Sequence, residues 1–183
     1  MTEHYTTTRP RLVPDQALPP YSYVPGYAPH PVSDPAGHMH GHRPTPLDPP
    51  QPDAWQACRE YLWAIDLFNH GYYWEAHEAW EGLWLAAGRG GPLGDFLKGL
   101  IKLAAAAVKA REGNRRGAQR HARRAEELLR AVRDREAGPR YLGLNFEELI
   151  DACGRTAGEW TEGVTSAAPD LLLPLVLAPR DEP

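Results

Sequence analysis

The sequence has few cysteines and no long hydrophobic run, and each absence excludes a class of protein. Its two cysteines, Cys58 and Cys153, match no zinc motif and no disulfide framework. We expect both thiols to be small core residues in a reducing compartment. The longest apolar run, "LLLPLVLAP", is too short and too interrupted by proline to span a bilayer. The first residues lack the apolar stretch of a secretory signal. Together these features predict a cytoplasmic protein that does not contact a membrane.

Several signatures of enzymes and of nucleic-acid binders are also missing. The chain has no Gly-rich phosphate loop, no G-x-S-x-G element and no Cys-His nucleophile pair. The formal net charge of -4 provides no general attraction to polyanions. Ten basic and four acidic residues lie between Lys109 and Arg135, but aromatic stacking groups are absent there. We expect a solvated face, or pairing with Glu147, Glu148 and Asp151, and no nucleic-acid partner. A homo-oligomer or a protein partner stays open.

The first 52 residues differ in composition from the rest of the chain. They hold 13 of the 19 prolines and five of the eight histidines. Because proline disfavours helices and central strands, residues 1–52 are predicted to form a proline-rich extended arm. Tyr21, Tyr23, Val24 and Tyr27 would allow this arm to pack on the helices. Docking and disorder both stay open for this region.

A histidine tract, "GHMHGH", lies within the arm and contains His38, His40 and His42. If the segment is extended, these alternate residues point to the same side of the chain. Clustered imidazoles can capture a transition metal, so the tract is one candidate metal site. The alternative is a flexible polar loop with incidental histidines.

From Asp53 onward the apolar residues recur at helical spacing. We predict an all-α fold, an antiparallel bundle of about five helices over residues 53–168, and a C-terminal tail at 169–183. Asp53, Asn114 and Asn145 are the predicted helix caps. No β-ladder pattern is visible. Gly99 and Gly117 stand inside predicted helices, which indicates close contact between helices. The predicted breaks lie near 69–72, 88–93 and 112–114.

The stretch "GYYWEAHEAWEGLW", residues 71–84, is the most unusual part of the sequence. On a helix with 100° per residue, His77 falls within the apolar face, next to Trp84. Glu81 lies at the margin of that face and Glu78 lies beside it. Glu75 is expected to point to water. We call His77, Glu78 and Glu81 the polar strip.

Burial of a carboxylate is costly unless it is paired, so the polar strip needs a partner. One interpretation is an ion pair between Glu81 and Lys98 or Lys102 of the next helix. A second is a ligand or catalytic site without metal. A third is a metal held by His77 and Glu81, which are one helical turn apart. The candidate pocket comprises Trp74, His77, Glu78, Glu81, Trp84, Lys98, Lys102 and Asn114.

Three blocks in order, "FNHGYYWEAHEAWEGLW", "FLKGLIKLAAA" and "EGNRRGAQR", resemble the DUF309 family over about residues 61–132. This bacterial and archaeal family of small helical proteins is named for its unknown function. The resemblance implies a compact helical bundle. It implies a role for the residues of the matching motifs, which are His77, Glu78, Glu81, Trp84, Gly99, Leu100, Asn114, Gly117 and Ala118. Where the family often has glutamine, this chain has Lys102, which favours the ion pair over a metal.

These observations predict a small binding or accessory module with a polar pocket around His77, Glu78 and Glu81. The alternative is a hydrolase-like, metal-assisted enzyme with Glu78 or Glu81 as general base. The sequence assigns no cofactor, although a divalent transition metal stays open. It does not decide whether the protein is an enzyme, or what it binds.

Overall fold

A computed structural model describes residues 9–43, 45–158, 168, 169, 171–173 and 175–181. The predicted helical bundle is confirmed, because helices account for nearly all the regular structure of this part of the chain. A single 3-10 turn, Trp55–Ala57, precedes the first α-helix. The elements are α1 Arg59–Asn69, α2 Tyr73–Ala86, α3 Gly91–Arg111, α4 Arg115–Arg133, β1 Arg140–Tyr141, β2 Leu144–Asn145 and α5 Phe146–Gly158.

The predicted breaks at 69–72 and 112–114 agree with the structure, whereas the break expected at 88–93 is shorter, because α3 already begins at Gly91. Gly71 adopts a φ of 83°, the left-handed conformation that lets the chain turn between α1 and α2. Asn114 caps α4 by accepting a hydrogen bond of 2.9 Å from the backbone N–H of Gly117. Asn145 caps α5 in the same way, accepting from the N–H groups of the first turn.

The expected start of the first helix at Asp53 is wrong. The side chain of Asp53 caps no helix, and an extended Cys58 (ψ 92°) separates the 3-10 turn from α1. The kink is accompanied by burial of Trp55, whose ring packs against that of Tyr61 with centroids 6.4 Å apart. A Cβ at Gly143 would lie 2.6 Å from the Trp55 ring, so glycine makes room for it. Packing of the indole therefore competes with local capping at this end of the helix.

Helix α3 lies between α2 and α4, and the core surrounds it. A Cβ at Gly99 would lie 2.9 Å from the Leu129 side chain, so the predicted close contact between helices is confirmed there. A Cβ at Gly117 would instead meet the Asn114 side chain, so that glycine makes room for the cap. Cys153 is fully buried, and burial raises the pKa of its thiol to about 12. Cys58 is only half-buried, so the expected core position holds for Cys153 alone.

A small antiparallel hairpin was not predicted. Arg140 pairs with Asn145 and Tyr141 with Leu144. Leu142 and Gly143 both have positive φ angles, 47° and 78°, as the tightest hairpin turns require. Within the described residues, no helix combines the length and the apolar character needed to cross a membrane.

The N-terminal segment, residues 9–43, contacts α1 through buried polar groups. The fully buried Asp66 carboxylate accepts hydrogen bonds of 2.8 Å from the backbone N–H groups of Leu12 and Val13. Arg11 donates to the same carboxylate at 3.1 Å. Val24 is buried, whereas Tyr27, which the sequence left open as a docking residue, is 53% exposed. The division of the chain at residue 52 stays a prediction.

Candidate functional site

The polar strip lies beside the buried face of α2 rather than within it. Tyr73, Ala76, Trp80 and Leu83 form the buried face and are almost inaccessible to solvent. The side chain of His77 retains 25% of its exposure and that of Glu78 retains 36%. The expectation that His77 lies within the buried face is therefore wrong, and the strip is open to solutes.

The three side chains of the polar strip converge. His77 Nδ1 lies 3.2 Å from Glu78 Oε1. One ligand atom from each of His77, Glu78 and Glu81 can be chosen so that all lie within 4.8 Å of one another. Ligands of one zinc ion, each bound at about 2.0–2.2 Å, are about 3–4 Å apart. The strip therefore needs a shift of about 1 Å, within reach of rotamer changes, to surround a metal.

The expected ion pair between the polar strip and α3 is not formed. Within the described part of the chain, Glu81 lies within 4.0 Å of no basic group. Lys98 instead places its Nζ 3.7 Å from the centre of the Trp84 ring, a cation–π contact. Burial lowers the pKa of Lys98, and the charge of Lys102 adds to this effect while Glu81 opposes it. Glu81 thus influences Lys98 through space without touching it.

The packing of α3 shows which residues of α2 and α4 lie level with one another. Lys98 of α3 contacts Trp84 of α2, and the two helices are antiparallel. A step of seven residues forward along α3, to Ala105, therefore corresponds to seven residues back along α2, at His77. Gly99 meets Ala125 and Leu129, so it is level with position 127, midway between them on α4. A step of six residues along α3 to Ala105 therefore corresponds to six residues back along α4, at His121. By this register Ala105 is level with His77 on one neighbouring helix and with His121 on the other.

His121 is a candidate site residue that the sequence interpretation missed. Its half-buried position lowers the pKa of the imidazole, and the charges of Lys102, Arg120, Lys109 and His77 lower it further. These influences agree with the helix register, which places His121 between Lys102 and Lys109. The signal was present in the sequence, since the turn at 112–114 fixes which residues of α3 and α4 are level.

Glu75 was expected to point to water, and this expectation is wrong. It is 4% exposed and accepts a hydrogen bond of 2.9 Å from the backbone N–H of Tyr23. His38 Nε2 lies 3.3 Å from the same oxygen. Burial raises the pKa of the Glu75 carboxyl group, although both hydrogen bonds oppose this effect. The expectation took into account packing within the helical bundle only, whereas the N-terminal segment covers this side of α2.

The histidine tract does not form the extended arrangement expected of it. Backbone hydrogen bonds from His40 to Gly37 and from His42 to Met39 fold residues 37–42 into successive turns. His38 consequently faces α2, whereas His40 and His42 are exposed. Among the described residues, the three imidazoles do not form a metal-type cluster.

Two further pocket candidates lie at the ends of this region. Trp74 stands one turn before His77 and packs edge-on against the rings of Tyr23 and His30, at 5.2 and 5.4 Å. It links the polar strip to the N-terminal segment. Asn114 is the cap of α4, seven residues and therefore about 10 Å before His121 along the helix.

The basic face of α4 is partly paired, as expected. Arg133 forms an ion pair of 2.9 Å with Glu147 of α5. Arg124 and Arg130 pair with glutamates of their own helix. Arg116, Arg120 and Arg123 are exposed and form no ion pair with any residue that the structure describes.

Residues 61–121 match the model of DUF309, a domain of unknown function. The match confirms the resemblance, although it ends before residue 132, where the resemblance was expected to end. It includes the polar strip, Lys98, Lys102 and His121. No curated protein and no solved structure matches the chain. Because the function of DUF309 is unknown, the match assigns no reaction to this chain, and only the geometry of the site bears on its function.

Proposed function

We propose that this protein is a small metal-binding module in which His77, Glu78 and Glu81 hold a divalent transition metal. The observation that carries the proposal is the convergence of one imidazole and two carboxylates within 4.8 Å. Imidazole nitrogen and carboxylate oxygen together suit Zn²⁺ and Mn²⁺. Three protein ligands leave at least one coordination position for a solute.

The position of the polar strip supports a ligand-binding role more than a structural one. A structural ion pair would join Glu81 to Lys98 or Lys102, and neither lysine contacts it. The His77 and Glu78 side chains are one-quarter and about one-third exposed, so a solute can reach them. The rigid helix fixes the three Cα positions, which reduces the entropy lost when a metal binds.

Metal binding is tested by calorimetry and elemental analysis on protein without a histidine tag. We expect wild-type protein to bind one Zn²⁺ or Mn²⁺ ion per chain at the polar strip. His77→Ala and Glu81→Gln should each weaken binding at least about tenfold. The double variant His40→Ala/His42→Ala is the matched control, because it removes exposed imidazoles but leaves the polar strip intact. Equal binding by wild type, His77→Ala and Glu81→Gln would refute the proposal.

A metal-assisted hydrolase is a second candidate function on the same residues. The observation that favours it is the 36% exposure of the Glu78 side chain, which lets this carboxylate act as a base instead of a ligand. Hydrolysis of p-nitrophenyl phosphate with and without Mn²⁺ tests it. If the protein binds metal but shows no metal-dependent hydrolysis, and Glu78→Gln does not change the rate of hydrolysis, the hydrolase is refuted and only the binding module remains.

A further inference from the structure

The surface next to the polar strip carries basic groups without acidic partners. Lys98 and Lys102 are one helical turn apart on the same face of α3, and both are half-buried. Neither forms an ion pair within 4.0 Å in the part of the chain that the structure describes. By contrast, Lys109 on the same face is paired with Glu112.

His121 extends this basic surface from α4. The register set by the contacts of Gly99 with Ala125 and Leu129 places His121 level with Ala105, about one helical turn beyond Lys102 along α3. Lys102 acts electrostatically on both Lys98 and His121, so the three groups lie near one another. The charge of His77 acts on His121 as well, so the polar strip lies near the same basic groups.

Lys98 and Lys102 repel one another unless an anion joins them. They would also weaken the binding of a bare metal ion to Glu81, which lies near enough to influence Lys98. An oxyanion that contacts the lysines and also fills an open coordination position of the metal would remove both penalties. Two ammonium groups and one imidazole can donate hydrogen bonds to the oxygens of a phosphate group.

We infer that Lys98, Lys102 and His121 form an anion subsite that holds the phosphate group of a small ligand beside the metal of the polar strip. The position of the phosphate beside the metal rests on the proposed metal-binding function, because the metal would take one phosphate oxygen. The binding of the phosphate itself rests on the basic groups alone. The ligand is thus a phosphate or a phosphate monoester rather than an uncharged molecule.

The subsite is tested by titrating full-length, tag-free protein with inorganic phosphate and with phenyl phosphate. Each titration is run in chelator and again with Mn²⁺. We expect binding in both conditions, tightened by Mn²⁺, and weakened about tenfold or more by Lys102→Met. Lys102→Arg should retain most of the binding, which a merely structural role of Lys102 would not explain. Lys109→Met is the matched control and should change the Kd less than about threefold, because Lys109 is already paired with Glu112.

The outcomes separate the two proposals. Phosphate binding that depends on Lys102, together with no binding of Mn²⁺, would support the anion subsite and refute the metal. Binding of Mn²⁺ without phosphate binding would overturn the anion subsite and leave the metal site standing. Phosphate binding that Lys98→Met and Lys102→Met leave unchanged would also overturn the subsite. Preference for phenyl phosphate over inorganic phosphate would identify a monoester as the ligand.

Discussion

Helices α1 and α2 carry acidic groups in two regions that the protein treats differently. In the first region, Asp66 and Glu75 are buried under the N-terminal segment, and backbone N–H groups donate to both carboxylates. In the second, Glu78 and Glu81 stay half-exposed and accept no hydrogen bond from a backbone N–H within the described residues. The comparison indicates that the first region holds the fold together, whereas the second is available to a ligand.

The physical basis of this difference is the supply of donors. A buried carboxylate is stable when several N–H groups or a guanidinium surround it, and Asp66 has two backbone donors and Arg11. Among the described residues Glu81 has no comparable set of donors, and Lys98 contacts the Trp84 ring instead of this carboxylate. Helical periodicity alone places all four carboxylates on α1 and α2 without distinguishing the two regions.

The largest expected effect is at Asp66. Asp66→Ala removes the acceptor for two backbone N–H groups and leaves the Arg11 guanidinium without its ion pair. We expect a loss of about 3–5 kcal/mol in the free energy of unfolding, measured by urea denaturation. Asp15→Ala is the matched control, because Asp15 pairs with Arg59 on the exposed surface and its loss should change little. Similar stability of both variants would show that the first region does not hold the fold together.

A smaller effect is expected at Glu75, with a characteristic pH dependence. Glu75→Ala removes the acceptor for the Tyr23 N–H and should cost about 1–3 kcal/mol. Burial raises the pKa of Glu75 above its ordinary value of 4.5, so the folded protein retains a proton that the unfolded chain has already lost. Wild-type stability should therefore fall as the pH rises from about 4.5 through the pKa of the folded state.

Glu75→Gln isolates this contribution, because it retains an oxygen acceptor but does not titrate. Compared with wild type, its melting temperature should rise with pH across the same range. Glu148→Gln, which changes an exposed carboxylate of α5, serves as the control. Parallel stability profiles of wild type and Glu75→Gln between pH 4 and 7 would contradict the effect of burial on Glu75.

The smallest effect is expected in the second region. Glu81→Gln and Lys102→Met should each change stability by no more than about 0.5 kcal/mol in chelator, as is usual for half-exposed side chains. In a double-mutant cycle their coupling should also stay below about 0.5 kcal/mol, because the two residues do not touch. A clearly larger coupling would restore the ion pair that the sequence suggested.

Much of the fold was predictable because it depends on local patterns. The seam of α4, the cap at Asn114 and the breaks at Gly71 and Gly113 follow from spacing, side-chain chemistry and glycine conformation. The start of α1 was not predictable in this way. There, Trp55 packs against the nearby Tyr61 and also beneath Gly143, which is more than 80 positions further along the chain.

The candidate site was likewise predictable only where it depends on local spacing along one helix. The sequence by itself determined that His77, Glu78 and Glu81 share one side of α2, since residues three and four apart on a helix are neighbours. Only the tertiary structure decided that Glu75 is buried, that Lys98 contacts Trp84 instead of Glu81 and that His121 lies near enough to His77 to feel its charge. Helical spacing describes one helix at a time, whereas burial and charge pairing depend on which segment of the chain covers each face.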